Sequence, residues 1–89
     1  MTIVWTDYLK YRASIRGFDL NELERILKQS SERYMDTETG SLIVVGRHKG
    51  QMVMIAYDAS DDEITPITVH SITRQQVQFR VRAGRFANE

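Results

Sequence analysis

There is no cysteine in the 89 residues, which excludes a disulfide, a thiolate nucleophile and a Cys-ligated zinc. Proline occurs once, at Pro66, and no proline-, serine- or glycine-rich stretch interrupts the chain, so no flexible linker divides it. Long hydrophobic runs are missing too, and with them a membrane-spanning segment. The first ten residues have neither a basic region nor a long apolar stretch, so no secretory signal is read; the expected compartment is a reducing cytoplasm. Neither sign of charge is in excess: twelve Lys and Arg balance twelve Asp and Glu. That balance argues against bulk attraction to nucleic acid or an anionic membrane, so any such contact has to be local.

What the chain does have is 42% apolar and 27% charged side chains, enough for one packed core and too little for two. The expectation is a single domain over residues 1–89. Its charge is unevenly placed. Residues 1–45 carry six basic and seven acidic side chains, residues 46–63 two and four, and residues 64–89 four and one, so the C-terminal end is the basic one.

Helix signals come first. After the apolar run Ile3-Val4-Trp5, the Thr6 hydroxyl is placed to cap a helix from Asp7 to about Arg16, which Gly17 can stop in a left-handed conformation. Asp19 and Glu22 have capping-box spacing, with Phe18 and Leu23 as the hydrophobic staple of a second helix that ends near Ser30. Leu20, Leu23, Ile26 and Leu27 give this helix one apolar face.

From Glu32 the pattern changes to short strand-like runs: Arg33 to Asp36, Leu42 to His48, Gln51 to Asp58 and Ile64 to Ser71. Turn residues separate them, which predicts an antiparallel meander. Pro66 lacks an N–H and puts the last run at an edge or a bulge. Thr73 and Gln76 repeat the capping-box spacing and open a final helix that reaches Gly84. The predicted order is therefore two helices, four strands and a helix, with room for a small strand in front. Apolar residues alternate on both faces of the central runs, which calls for helices on both sides of the sheet.

The chemistry is sparse. With a two-residue turn at Lys49-Gly50, His48 lies opposite Gln51. An acidic turn centred on Ser60 and Asp61 would place Gln51 opposite His70. On that register both imidazoles share a face two strands apart, roughly 10 Å at about 4.8 Å per strand, with Arg47, Lys49 and Arg74 on the same rim. Two imidazoles among guanidinium groups suit phosphodiester cleavage without a metal, and no cofactor is called for. The bland readings are a solvated hairpin histidine at His48 and a strand-end histidine at His70 satisfied by the next helix's N-terminus. Arg74, Arg80, Arg82 and Arg85 read either as phosphate contacts or as the wet, dipole-favoured side of a helix. Tyr8 and Tyr11, three apart, read as core or lid, and Met52 and Met54 as core filler. Asp58, Asp61, Asp62 and Glu63 lack the spacing of a calcium loop and read as a solvated turn.

In order and spacing, Val4-Trp5-Thr6-Asp7 with Lys10, Arg16-Gly17-Phe18, Arg33-Tyr34, Val45-Gly46-Arg47, Lys49-Gly50-Gln51 leading to Ala56-Tyr57, and Ile67-Thr68-Val69-His70 feeding Thr73-Arg74 resemble the BrnT branch of the RelE/ParE superfamily of bacterial toxins. The resemblance implies an α+β, RelE-like fold: two N-terminal helices, a twisted antiparallel sheet of about four strands and a C-terminal helix. It implies a metal-independent endoribonuclease of a type II toxin–antitoxin pair, acting on RNA in the cytoplasm and held by a cognate antitoxin, as a homodimer or a hetero-oligomer with that partner. His70, His48 and Arg47 are then the catalytic candidates, and Arg74, Arg47, Lys49 and Lys10 the RNA phosphate contacts. The sequence departs from the family pattern at two places. His70 stands at the family's Arg position and Gln76 at its Glu position, and an amide does not titrate. The alternative is therefore a catalytically inactive domain that works through a protein partner.

Overall fold

The computed structural model describes all of residues 1–89 as an α+β domain of three helices and one six-stranded mixed sheet. Strand β1 (Thr2–Ile3) leads into helices α1 (Asp7–Arg16) and α2 (Leu20–Gln29). Strands β2 (Glu32–Asp36), β3 (Leu42–His48), β4 (Gln51–Ser60) and β5 (Glu63–Ser71) follow, then helix α3 (Arg74–Arg82) and β6 (Phe86–Asn88). The sheet order is β1-β5-β4-β3-β2-β6. The four long strands form the expected meander, and two short strands add to its edges: β1 parallel to β5, and β6 antiparallel to β2. The sheet is thus wider than the four strands expected. Phe86, which lies beyond the stop of the last helix, is buried as part of β6.

The helix ends follow their capping chemistry. Thr6 and Asp19 accept N–H bonds from the first turns of α1 and α2, and Thr73 and Gln76 form the full reciprocal box at α3. Gly17 stops α1 at φ 77°. Lys49 and Gly50, at φ 50° and 83°, make the type I′ turn that fixes the β3–β4 register.

Two cores form, one on each face of the sheet, because the strand pleat sends alternate side chains to opposite sides. On one face α1 and α2 bury Leu9, Ala13, Leu23, Ile26 and Leu27 against Val44, Val53, Ile55, Tyr57 and Val69. On the other, Ile43, Val45 and Met54 pack with Ile72, Val77 and Phe86 around α3. Met54 is buried and Met52 half-buried, as core filler should be. Helix α2 is stitched to β3 along its length. The Asp19 N–H donates to His48, Arg25 donates to the Arg47 carbonyl, and Ser30 donates to the Val45 carbonyl.

Candidate functional site

The two histidines lie on opposite faces of the sheet, so the proton-transfer pair expected between them does not exist. His48 is on the α1/α2 face, 6% exposed, its Nε2 accepting the Asp19 N–H at 2.9 Å and its ring meeting Phe18 edge-on at 5.2 Å. It is not the solvated hairpin residue; it ties the start of α2 to the tip of β3. His70 pairs with Met54, not Gln51, and shares the α3 face with it. The reason is local. The β4–β5 turn is centred on Asp61 and Asp62, one residue later than expected, and a bulge between Ala56 and Tyr57 shifts the register again.

His48→Ala should therefore behave as a structural lesion. It leaves the Asp19 N–H without its acceptor, at a cost of about 1–3 kcal/mol, visible as an earlier urea midpoint.

The expected basic rim is also divided. Lys49 sits exposed at the hairpin tip. Lys10 is exposed and pairs with Asp7 at 3.5 Å, and helical spacing points it away from Arg12 and Arg16. Arg47 is exposed, donates to the Gly50 carbonyl at 3.2 Å, and shares a small hollow of about 250 Å³ with Arg74. Arg74 is already engaged: its guanidinium donates twice to Glu32, at 2.6 and 2.9 Å, and Tyr34 donates to the same carboxylate at 2.7 Å. The Arg74 hydrogen bonds hold the Glu32 carboxyl below its usual range. A phosphate at Arg74 would have to displace Glu32.

Arg85 is likewise taken. It donates to both oxygens of Asp36, at 2.9 and 3.0 Å, and reaches Glu38 at 2.7 Å. Asp36 is 5% exposed and also accepts the N–H groups of Glu38 and Thr39, so its carboxylate organises the β2–β3 turn. Arg85 first, with those N–H groups, lowers its pKa from the ordinary 3.8. A depressed carboxylate pKa stabilises the fold fully above the unfolded value, and that stabilisation is lost as pH falls through the folded value. Asp36→Asn should accordingly lower stability at pH 7 and flatten the acid limb of a thermal-melt pH series below pH 4. An unchanged limb would show that this ion pair does not carry acid sensitivity.

Arg47 and Lys49 have no carboxylate within salt-bridge distance, and further unpaired positive charge lies on α1 and α3. Arg16, at the end of α1, reaches the edge of β5 and donates from Nη1 to the Val69 carbonyl at 2.9 Å and to His70 Nδ1 at 3.1 Å. Arg80 of α3 lies over the Phe86 ring, 5.4 Å from its centroid, with Nη1 at 3.3 Å from the Met54 sulfur beside His70. Neither Arg16, Arg80 nor Arg12 has a carboxylate within salt-bridge distance. Partial burial of the imidazole, then Arg16, Arg12 and Arg80, lowers the His70 pKa from its ordinary 6.5, which favours the neutral ring. Because arginine can only donate, His70 accepts at Nδ1 and carries its proton on Nε2.

His70 and Arg80 border an open cleft of about 330 Å³ between the sheet and α3, and Arg16 lies outside its lining. Ile43, Met54, Ala56, Thr68 and His70 form its floor, and Gln76 and Arg80 one wall. Gln76 does not face the cleft as a free amide, since its Oε1 accepts the Thr73 N–H in the capping box.

Sequence reasoning singled out His70 and missed Arg16 as its companion. Arg16 lies in a helix far along the chain and becomes a neighbour only because β5 is a strand against which α1 packs. Tyr8 and Tyr11, read as core or lid, are 61% and 62% exposed. No group of three or more His, Asp or Glu is arranged to hold a metal ion, and no helix is long and apolar enough to cross a membrane. No protein-family model, curated protein or solved structure matches the chain.

Proposed function

We propose that this chain is the toxin component of a bacterial type II toxin–antitoxin pair, with a RelE-like fold of the BrnT type widened by β1 and β6. The RNA backbone enters the α3-side cleft and is cleaved there without a metal, in the cytoplasm. The carrying observation is Arg16 bonded to His70 Nδ1, with Arg80 on the neighbouring Met54, both free of carboxylates. A phosphate there meets fixed cations and a titratable group together, as phosphoryl transfer requires.

The step follows from those positions. A phosphate oxygen draws the Arg16 guanidinium away and frees the Nδ1 lone pair. His70 then takes the proton of a ribose 2′-OH, the O2′–P bond forms, the P–O5′ bond breaks, and the departing O5′ takes a proton from the imidazolium or water. The products are a 2′,3′-cyclic phosphate and a 5′-hydroxyl. Arg16 and Arg80 stabilise the charge that develops on the phosphoryl oxygens. His48 takes no part in this reading, and Arg47, Arg74, Lys49 and Lys10 are at most outer contacts for a longer RNA.

The test is incubation with RNA in EDTA. The proposal expects cleavage by the native protein, loss of at least about a hundredfold in His70→Ala, the usual scale of acid–base catalysis, and unchanged cleavage per folded molecule in His48→Ala. Cleavage that survives His70→Ala contradicts it.

A second reading is favoured by a separate observation. Tyr8, Tyr11 and Ile15 stand exposed at the spacing of one face of α1, with Arg12 beside them. A domain without nuclease activity could bind its partner through this stripe. If no RNA is cleaved, loss of antitoxin binding in Tyr11→Asp with Ile15→Asp would support that reading.

A further inference from the structure

The outer edge of β5 is only partly covered. Strand β1 pairs with Glu63 and Ile64, and the last backbone bond on that side runs from the Val4 N–H to the Ile64 carbonyl at 2.8 Å. Beyond it no strand continues. Along an antiparallel strand the backbone N–H and C=O groups of successive residues point by turns toward the partner strand and away from it. Val69 turns its carbonyl away from β4, to Arg16, so the N–H groups of Val69 and Ser71 also lie on the open side. Pro66, two residues after Ile64, faces outward too, and its missing N–H costs the ladder nothing.

A side chain, not a strand, closes this edge. Arg16 lies across it, donating to the Val69 carbonyl and to His70 Nδ1. It ends a row on α1 formed by Tyr8, Arg12 and Arg16, four residues apart and so on one side of the helix. Arg12 donates to the Tyr8 hydroxyl at 3.2 Å, and neither arginine has a carboxylate within salt-bridge distance. Unpaired strand N–H groups beside unpaired guanidinium groups call for a backbone that carries carboxylates. We infer that the β5 edge from Ile67 to Ser71 is a docking site for an acidic polypeptide segment, which adds to the sheet in line with β1 and draws Arg16 from the Val69 carbonyl onto its own carboxylates. Alternate residues of a strand share a face. Carboxylates at every second position therefore meet Arg12 and Arg16 on the α1 side, and the residues between them lie beside Ile67 and Thr68 on the α3 side. A second copy of this chain fits poorly, since two-fold pairing of β5 with β5 brings two arginine rows to one seam. A nucleic acid answers the arginines but has no amides and carbonyls to match the ladder. The inference goes beyond the RNA reading and does not depend on it.

The probe is a fluorescein-labelled peptide alternating glutamate and valine, titrated into the native protein without RNA. Anisotropy should show binding, and hydrogen exchange at the Val69 and Ser71 amides should slow by at least about tenfold. A peptide with lysine in place of glutamate should bind at least about tenfold more weakly, as should glutamate peptides N-methylated at every second amide in the frame that faces β5. Arg12→Glu should weaken the glutamate peptide and improve the lysine peptide. Ser71→Pro removes an outward N–H, as Pro66 does naturally, and should abolish binding; the N-methylated peptides make the same test on the native protein. No binding, or binding that survives N-methylation in both frames, overturns the proposal. So does protection of the same two amides in a dimer of the protein alone, which assigns the edge to a second copy, or equal protection by a short oligouridylate, which assigns it to nucleic acid.

Discussion

Gly46→Ala should cost this small domain about 1–3 kcal/mol, the usual penalty for an extra group forced into a packed interior, and Gly46→Val should leave no cooperatively folded protein. Gly46 lies in β3 directly beneath α2. A Cβ built there falls 2.7 Å from Cγ2 and 2.9 Å from Cγ1 of Ile26, which is 1% exposed and enclosed by the larger core. Atoms that close must move, and Ile26 has no open space into which to move. Nor can α2 lift away, because His48, Arg47 and Val45 hold it to β3 through three hydrogen bonds. Glycine is required here by the distance between helix and strand, not by backbone conformation. Urea unfolding is the check, with Ile26→Ala as the companion variant. Ile26→Ala opens a cavity and Gly46→Ala fills part of it, so the double variant should be more stable than the sum of the two losses predicts. Strict additivity would mean that α2 does not approach β3 this closely.

Arg80→Glu should weaken RNA binding by at least about tenfold, more than any other single charge reversal except Arg16→Glu. Arg74→Glu should cost less despite its place at the head of α3, since the Arg74 charge is already spent on Glu32. The difference between equivalent charges is the informative part. Net charge changes by the same amount in all three variants, so a general loss of attraction would affect them alike, whereas a located phosphate site would not. The dependence of affinity on salt sharpens this: each phosphate contact removed should lower the slope by about one. Arg80→Gln is the packing control, because the Arg80 stem also covers Phe86 and Met54. Equal losses for Arg74→Glu and Arg80→Glu would remove the cleft from the account.

Much of the fold was legible because local chemistry decides it. The caps at Thr6, Asp19 and Thr73, the stop at Gly17 and the Lys49-Gly50 turn each act within a few residues; only the box expected between Asp19 and Glu22 does not close, since the Asp19 N–H goes to His48 and Glu22 pairs with Arg25. The alternation of apolar residues on β3 and β4 correctly called for helices on both faces. The site was less legible because it depends on a count. A strand register changes face with every residue: the turn displaced from Ser60-Asp61 to Asp61-Asp62 moves the pairing by two residues and keeps the face, and the one-residue bulge after Ala56 turns His70 away from His48. Pro66 signalled an edge or bulge, but not which residue would be extra. The pairing of Arg74 with Glu32 and of Arg85 with Asp36 joins segments more than forty residues apart, and no local pattern announces it. The small edge strand β6 was hidden for the same reason: three residues carry little periodicity, and burial of Phe86 beside Tyr34 is what fixes them.

The central claim is that function lies on the α3 face at the β5 edge, around Arg16, His70 and Arg80. Chemical-shift mapping on ¹⁵N-labelled protein titrated with a short single-stranded RNA tests it directly. The account predicts the largest backbone and guanidinium changes at Arg16, Thr68 to Ser71 and Gln76 to Arg80, with a rise in the His70 pKa as the phosphate binds. Changes centred instead on Arg47, Lys49 and His48 at the hairpin tip, or none at all, would contradict it.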